Sequence, residues 1–260
     1  MSMPSAPPSR LVFSIEGACA RIRLSHPPLN VIDRALMAEM LEAFVEIEQH
    51  KKITTILFSG SPQSFSAGVD IAAHAPDQVK EMLHGFHGLI KRLATTQKLT
   101  IAAVRGRCLG GGAELAMMCD LVYTSQESTW QFPEIKLGCY PPVACVALAA
   151  IVGQKRAAEM ILTGRSFTGQ QALHLGLANE ALPDELVEAA AGEVVKRADN
   201  LSCVAIAMAK KAFYTWDALR FSEGLDRAEK IYLEELMQTE DAREGIQAWL
   251  EKRSPTWKGK

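Results

Sequence analysis

The chain of 260 residues carries 28 basic and 30 acidic side chains and has a net charge of -2 at neutral pH. This balance gives no general field to attract nucleic acid or an anionic membrane, and no apolar run approaches the roughly 20 residues of a membrane span. Hydrophobic residues make up 48% of the sequence, which is typical of a globular protein with one large core and excludes disorder over most of the chain.

The cysteine pattern and the N-terminus predict where the protein resides. The six cysteines are scattered without a Cys-x-x-Cys pair, and no signal peptide precedes them, so we expect reduced thiols and a cytoplasmic location. Residues 1–10 are rich in proline and serine and predict a flexible lead-in that lacks the arginine-rich pattern of a transit peptide.

The first part of the chain predicts a hairpin, a helix and a buried strand. Apolar and polar residues alternate over residues 11–15 and 18–24, which favours two paired strands. Asp33 is a plausible N-cap for a helix in which apolar residues recur at helical spacing. Residues 53–58 then form an apolar run that is typical of a buried strand.

A glycine turn and a second helix follow this strand. Gly68 lies among small residues, so a backbone N–H there could be presented to a ligand. Residues 77–94 predict a helix on which His84 and His87 are three positions apart. That spacing could hold a metal, but no third ligand is evident nearby, so we interpret both histidines as surface side chains and expect no metal site.

The third segment combines a strand, three glycines and a helix. Residues 100–104 are apolar and β-branched, residues 110–112 are all glycine, and residues 113–119 favour helix. The free N–H groups at the start of a helix favour an oxyanion or a phosphate. Glu114 lies in the first turn, where its carboxylate is either a simple partner of the helix dipole or a group beside the anion site.

The remaining chain completes an α/β pattern and then becomes helical. A strand at 121–124 leads to residues 130–138, which contain Glu134, and alternating strands and helices imply an α/β layer architecture. Alanine and leucine dominate residues 143–152, and helices are then predicted, in order, at residues 155–162, 168–175, 184–197, 204–214, 221–238 and 241–251. We therefore expect an α/β core over residues 11–195 and a helical part over residues 196–260.

Two glycine turns and two glutamates could act on one thioester. Two converging N–H donors, one from each glycine turn, would suit a thioester carbonyl that gains enolate character. Glu114 and Glu134 follow separate strands, and two carboxylates beside that carbonyl could position water and move a proton to or from the α-carbon.

These motifs, in this order, resemble those of the enoyl-CoA hydratase/isomerase (crotonase) family. The resemblance is carried by residues 65–71, 109–120, 132–138, 162–164, 172–177 and 241–245. It implies a spiral of ββα units with a C-terminal helical trimerisation region. It also implies a coenzyme A thioester as substrate, no tightly bound cofactor, and a homo-oligomer that is a trimer or a dimer of trimers.

The resemblance also implies roles for individual residues. Glu114 and Glu134 would be catalytic, and the amides of Val69 and Gly111 would form an oxyanion hole. Contacts with the acyl group or coenzyme A are expected from Ala67, Gly68, Asp70, Ile71, Ala72, Gly110, Pro141, Pro142, Trp249 and Lys252. Of these, Trp249 and Lys252 are expected in the last helix, from where they would reach the coenzyme of a neighbouring subunit.

The glutamate pair favours hydration over the other activities of the family. The alternatives are an enoyl-CoA isomerase, another acyl-CoA enzyme of the family, or a non-catalytic member that binds coenzyme A or RNA. The near-neutral charge and the intact glutamate pair count against a non-catalytic role.

Two positions depart from the common hydratase pattern. Ala72 stands where hydratases often carry a lysine near the coenzyme, so some of the attraction for its phosphates is absent. Pro141 and Pro142 stand where the common hydratases have a glycine-rich run, and prolines restrict the backbone. This loop is similar to that of cyclic dienoyl-CoA hydratases, which act on cyclohexa-1,5-diene-1-carboxyl-CoA; the other interpretation is that the prolines only stiffen the loop.

Overall fold

The computed structural model describes residues 9–260, except the side chains of residues 215–219, so the lead-in predicted over residues 1–10 falls largely outside it. The strands are β1 Leu11–Glu16, β2 Cys19–Leu24, β3 Thr55–Ser59, β4 Ser64–Ser66, β5 Leu99–Val104, β6 Arg107–Leu109, β7 Leu121–Ser125, β8 Thr129–Gln131, β9 Ser166–Thr168 and β10 Glu180–Leu182. The helices are α1 Arg34–Gln49, α2 Val79–Thr95, α3 Gly111–Met117, α4 Pro142–Val152, α5 Gln154–Thr163, α6 Gly169–His174, α7 Val187–Asp199, α8 Cys203–Glu234 and α9 Glu240–Leu250. Short 3-10 turns occupy Ile71–His74, Glu134–Leu137, Asp184–Leu186 and Leu236–Gln238.

Two sheets are built from repeated strand–strand–helix units. The larger sheet has the order β1-β2-β3-β5-β7-β10, and only the predicted hairpin β1–β2 is antiparallel. The smaller sheet has the order β4-β6-β8-β9, in which β4, β6 and β8 are parallel. Each of these three strands follows a strand of the larger sheet, so the predicted spiral of ββα units and the α/β class are confirmed.

The short strands of the smaller sheet were missing from the sequence prediction. A strand followed directly by a glycine turn was predicted, but β6 lies between β5 and the glycines. A three-residue strand is too short for apolar alternation to reveal it. The functional consequence is that the glycine turns emerge from the ends of β4 and β6, which are paired neighbours.

Local sequence signals set several element boundaries. The Asp33 carboxylate accepts a hydrogen bond from the Leu36 amide at 3.0 Å and begins α1 as predicted. Thr168 forms a capping box with Gln171 at the start of α6. Trp130 on β8 is fully buried and donates its indole N–H to the hydroxyls of Thr124 and Ser128, so it anchors the segment that leads to Glu134.

The C-terminal part differs from the prediction in two elements. Two helices were predicted over residues 204–214 and 221–238, but α8 is a single helix, and the sequence between those two stretches contains no proline or glycine to break it. Lys252 was placed in the last helix, yet α9 ends at Leu250 and Lys252 has φ +55°. The division at residue 195 stays a prediction, and α7 runs across that position.

The largest core cluster lies between α1, α2, α4 and one face of the larger sheet. A second cluster packs α7 against the other face of the larger sheet. The residues of α7 that contact the strands are Val187, Ala191, Val194 and Val195. Among the described residues, no helix is both long and apolar enough to cross a membrane.

Candidate active site

The two glycine turns lie against each other. Gly68 has φ +98°, which favours glycine, and a Cβ added there would lie 2.9 Å from the Leu109 carbonyl oxygen. A Cβ added at Gly111 would lie 3.4 Å from the Val69 nitrogen. Within the described part of the chain, neither the Val69 N–H nor the Gly111 N–H has an acceptor. Two free amide donors therefore face the same small space.

Glu114 lies beside these amides on the short helix α3. Its side chain is 3% exposed, and Oε1 accepts a hydrogen bond of 2.9 Å from the Ala144 amide in the first turns of α4. A carboxylate that only complemented a helix dipole would remain at the surface. The burial of Glu114 and its contact with another helix favour the second of the two interpretations, a group held at a site.

Glu134 is positioned by the segment that follows β8. It begins the 3-10 turn after Pro133, and a Cβ added at Gly110 would lie 2.6 Å from its Oε1. Only a glycine at position 110, with φ +49°, allows the carboxylate to lie this close to the backbone. The other oxygen, Oε2, is buried and has no hydrogen-bond partner among the described residues.

Burial changes the protonation of both carboxyls. Burial raises the pKa of Glu114 to about 7, partly offset by the hydrogen bond from the Ala144 amide. Burial also raises the pKa of Glu134 well above its usual value, and the charge of Glu114 raises it further. Because the two carboxyls repel each other's charge, one carboxylate and one carboxylic acid coexist near neutral pH. Such a pair can accept one proton and donate another.

The raised pKa of Glu114 predicts a pH-dependent gain of stability on Glu114→Gln. The contribution of Glu114 to the free energy of unfolding is fully present below pH 4.5, the pKa of the group in the unfolded chain. It is lost as pH rises through the folded pKa of about 7. Glutamine stays neutral, so we expect the variant to exceed the wild type by about 1–3 kcal/mol in free energy of unfolding near pH 8 and to match it near pH 4.5. Urea unfolding at both pH values measures this difference.

Glu127→Gln is the control for that measurement, because Glu127 is exposed in the turn after β7. Its effect on the free energy of unfolding should be small at both pH values. A Glu114→Gln effect that is equal at the two pH values would contradict the raised pKa of Glu114.

Both glutamates and both amides line one pocket, which has a cavity volume of about 60 Å³. Nine of the predicted site residues line it: Ala67, Gly68, Val69, Ile71, Gly110, Gly111, Glu114, Glu134 and Pro142. The other five predicted site residues do not line the pocket: Asp70, Ala72, Pro141, Trp249 and Lys252. Trp249 is 48% exposed on α9. Contacts of these five with the acyl group, the coenzyme or a neighbouring subunit stay predictions.

Sequence reasoning missed several side chains of the pocket wall. These are His74, Met82, Leu83, Phe86, His87, Pro133, Leu137, Cys139, Tyr140 and Tyr232. The interpretation of His87 as a surface side chain was wrong, because it is buried and its Nδ1 bonds Glu229 on α8. His87 is four positions after Leu83 on the apolar stripe of α2, and this spacing was the available signal. The described residues contain no cluster of three or more metal-ligating side chains.

The arrangement of the two amides and the two carboxyls suits a reaction of a carbonyl compound such as a thioester. A thioester oxygen placed between the Val69 and Gly111 amides would accept two hydrogen bonds, which stabilise negative charge on that oxygen. The two carboxyls would then lie within the same pocket as the carbons next to the thioester, where they can exchange protons with water and carbon.

Comparisons with known proteins agree over nearly the whole chain. A family model described as enoyl-CoA hydratase/isomerase matches residues 14–260. A cyclohexa-1,5-dienecarbonyl-CoA hydratase from Thauera aromatica is 33% identical over 253 residues, which cover 97% of this chain and 98% of that protein. A probable enoyl-CoA hydratase from Rhizobium meliloti (strain 1021) is 36% identical over 252 residues, with 95% and 97% covered. An enoyl-CoA hydratase structure from Mycobacterium avium subsp. paratuberculosis K-10 superposes with a TM-score of 0.86 at 24% identity, covering 97% of this chain and 100% of that one, and supports the fold.

Proposed function

The chain belongs to the enoyl-CoA hydratase/isomerase family, and on that premise we propose that it is a hydro-lyase that adds water to the conjugated double bond of an enoyl- or dienoyl-CoA thioester. The observation that carries the proposal is that Glu114, which is buried, and Glu134, which is half-buried, lie in one pocket with the free amides of Val69 and Gly111. An isomerase needs one group to move a proton, whereas hydration uses a second group to activate water.

In the proposed reaction, the thioester oxygen lies between the two amides. The carboxylate of the glutamate pair takes a proton from water as the water oxygen bonds to the electron-poor end of the conjugated system. The electron pair of the double bond moves toward the thioester oxygen, where the N–H groups of Val69 and Gly111 stabilise it. The carboxylic acid of the pair then protonates carbon, so that one water is added across the double bond.

We further propose a cyclic dienoyl-CoA thioester as the substrate. The relative from Thauera aromatica is named for such a reaction. Pro142 lines the pocket at the start of α4, and the Ala144 amide of the same helix donates a hydrogen bond to Glu114. A flat ring has few conformers, so a rigid wall can hold it near the glutamates at little entropic cost.

Cyclohexa-1,5-diene-1-carboxyl-CoA is therefore expected to have a kcat/KM at least ~10-fold higher than crotonyl-CoA, equivalent to about 1.4 kcal/mol in the transition state. Initial rates from the loss of conjugated absorbance measure both substrates. Pro142→Ala should lower this preference, whereas Pro183→Ala, before the 3-10 turn that precedes α7, should preserve it. If crotonyl-CoA is used equally well or better, the protein is a general enoyl-CoA hydratase.

We also infer a homo-oligomer, either a trimer or a dimer of trimers, and a cytoplasmic location. Helix α8 exposes the large apolar side chains of Val204 and Met208, which lie four positions apart on one face, and adjoining exposed apolar side chains are typical of a protein interface. The six cysteines are all free, which fits a reducing compartment.

A further inference from the structure

His87 contributes an unpaired polar atom to the pocket that contains Glu114 and Glu134, called the acyl pocket below. The side chain is 2% exposed, and its Nδ1 lies 2.5 Å from Glu229 Oε2 on α8. The hydrogen bond from His87 holds the pKa of the Glu229 carboxyl below its usual value, so the acceptor is a carboxylate and Nδ1 carries the hydrogen. Nε2 is buried without a hydrogen-bond partner among the described residues.

Tyr232 contributes a second unpaired polar atom to the same pocket. It lies three positions after Glu229 on α8, which places the two side chains on one face of the helix. Tyr232 is 1% exposed; its hydroxyl bonds no nitrogen or oxygen atom in the described part of the chain, and the Cys139 thiol, a weak partner, lies beside it. The neighbouring Tyr140 ring, 5.2 Å away, differs because its hydroxyl already donates to the Ala228 carbonyl at 2.6 Å.

Unpaired groups of this kind are rare inside proteins and costly. Met82, Leu83 and Phe86 on the same helix line the pocket with His87, and the pocket wall also contains His74 and Tyr140. A ligand hydroxyl could donate to Nε2 and accept from the tyrosine O–H. A hydroxyl both donates and accepts, so it suits either hydrogen-bonding role of Nε2, whereas the charge of Glu229 behind the imidazole disfavours a carboxylate or phosphate there.

We propose that His87 and Tyr232 form a hydroxyl-binding end of the acyl pocket, so that the enzyme prefers CoA thioesters whose acyl part carries a hydroxyl group. The inference rests on the proposed function and names a substrate class for the same site. Glu229 is a positioning residue in this arrangement, because it fixes the imidazole and the tautomer without reaching the ligand.

The preference is measurable as binding, independently of turnover. Isothermal titration compares cyclohexanecarboxyl-CoA with its 3-hydroxy and 4-hydroxy derivatives, and hexanoyl-CoA with 6-hydroxyhexanoyl-CoA. The acyl groups are saturated, so none of these thioesters can be hydrated. We expect at least one hydroxylated ligand to bind the wild type about 10-fold more tightly than its parent, through hydrogen bonds in a buried site.

Two substitutions remove one polar atom each. Tyr232→Phe deletes the hydroxyl, and His87→Asn keeps a donor for Glu229 while it removes Nε2. Each should abolish most of the preference, measured as the ratio of the Kd of the parent thioester to that of its hydroxylated derivative in the same variant. Tyr140→Phe is the matched control and should retain the preference, because its hydroxyl is already bonded to Ala228.

Equal affinity for every hydroxylated ligand and its parent in the wild type would overturn the inference, as would a preference that survives both substitutions. Hydration of cyclohexa-1,5-diene-1-carboxyl-CoA by the wild type is assayed separately. A preference for hydroxylated ligands without hydration would support the hydroxyl-binding site and contradict the proposed reaction. Hydration without this preference would support the reaction and contradict the hydroxyl-binding site.

Discussion

Replacement of Glu114 or Glu134 by glutamine is expected to lower kcat for hydration by about 10²-fold or more. Glutamine keeps the shape of the side chain but can neither take a proton from water nor give one to carbon. Glu114 would keep its hydrogen bond from Ala144 through the amide oxygen, and the Kd of the hydrated CoA product should change far less than kcat. Steady-state rates and product titration measure the two quantities.

The double variant sharpens this prediction. Two groups that act as a unit are strongly non-additive, so Glu114→Gln with Glu134→Gln together should be only slightly slower than the slower single variant. Glu127 is exposed and does not line the pocket, so Glu127→Gln should hydrate at the wild-type rate. Near wild-type turnover by both single variants would mean that the roles of the two glutamates are wrong.

Gly111→Ala is expected to lower kcat/KM by about 10²-fold, comparable to the loss of one oxyanion-hole donor. The added Cβ would lie 2.6 Å from Val69 Cγ2 and 3.1 Å from Phe86 Cζ, so these side chains must shift, and it would lie 3.4 Å from the Val69 nitrogen. The Cβ therefore crowds the space in which the two amides would receive the thioester oxygen. Rates with a good substrate, together with the melting temperature of the variant, separate this effect from unfolding.

Gly88→Ala is the matched control for that substitution. Gly88 lies in α2, and a Cβ added there meets no atom within 4 Å, so alanine should leave the rate unchanged and favour the helix. A folded Gly111→Ala protein with wild-type kcat/KM would show that the close approach of the two turns is irrelevant to the reaction.

The sequence predicted those parts of the site that lie in local motifs. The turns at Gly68 and Gly110 and the adjacent Glu114 each require a specific backbone or a specific side chain within a few residues. The Asp33 cap and the β1–β2 hairpin are local for the same reason. Such features are predictable because neighbouring residues alone determine them.

Features that depend on distant contacts were not predictable in this way. His87 and Glu229 are separated by 142 positions in sequence, and no local pattern connects them. The continuity of α8 and the three-residue strands β6 and β8 likewise depend on packing against other elements. The inward spacing of His87 after Leu83 indicated burial, but only the fold identifies its partner.

The most direct test of the central claim follows the origin of the added oxygen. The protein is incubated with cyclohexa-1,5-diene-1-carboxyl-CoA in water enriched in oxygen-18, and the loss of conjugated absorbance is compared with the mass of the product. Hydration by the glutamate pair predicts one labelled oxygen in each product molecule, and Glu114→Gln and Glu134→Gln should slow its appearance. An isomerised product without label, or no conversion of any enoyl- or dienoyl-CoA supplied, would contradict the proposed function.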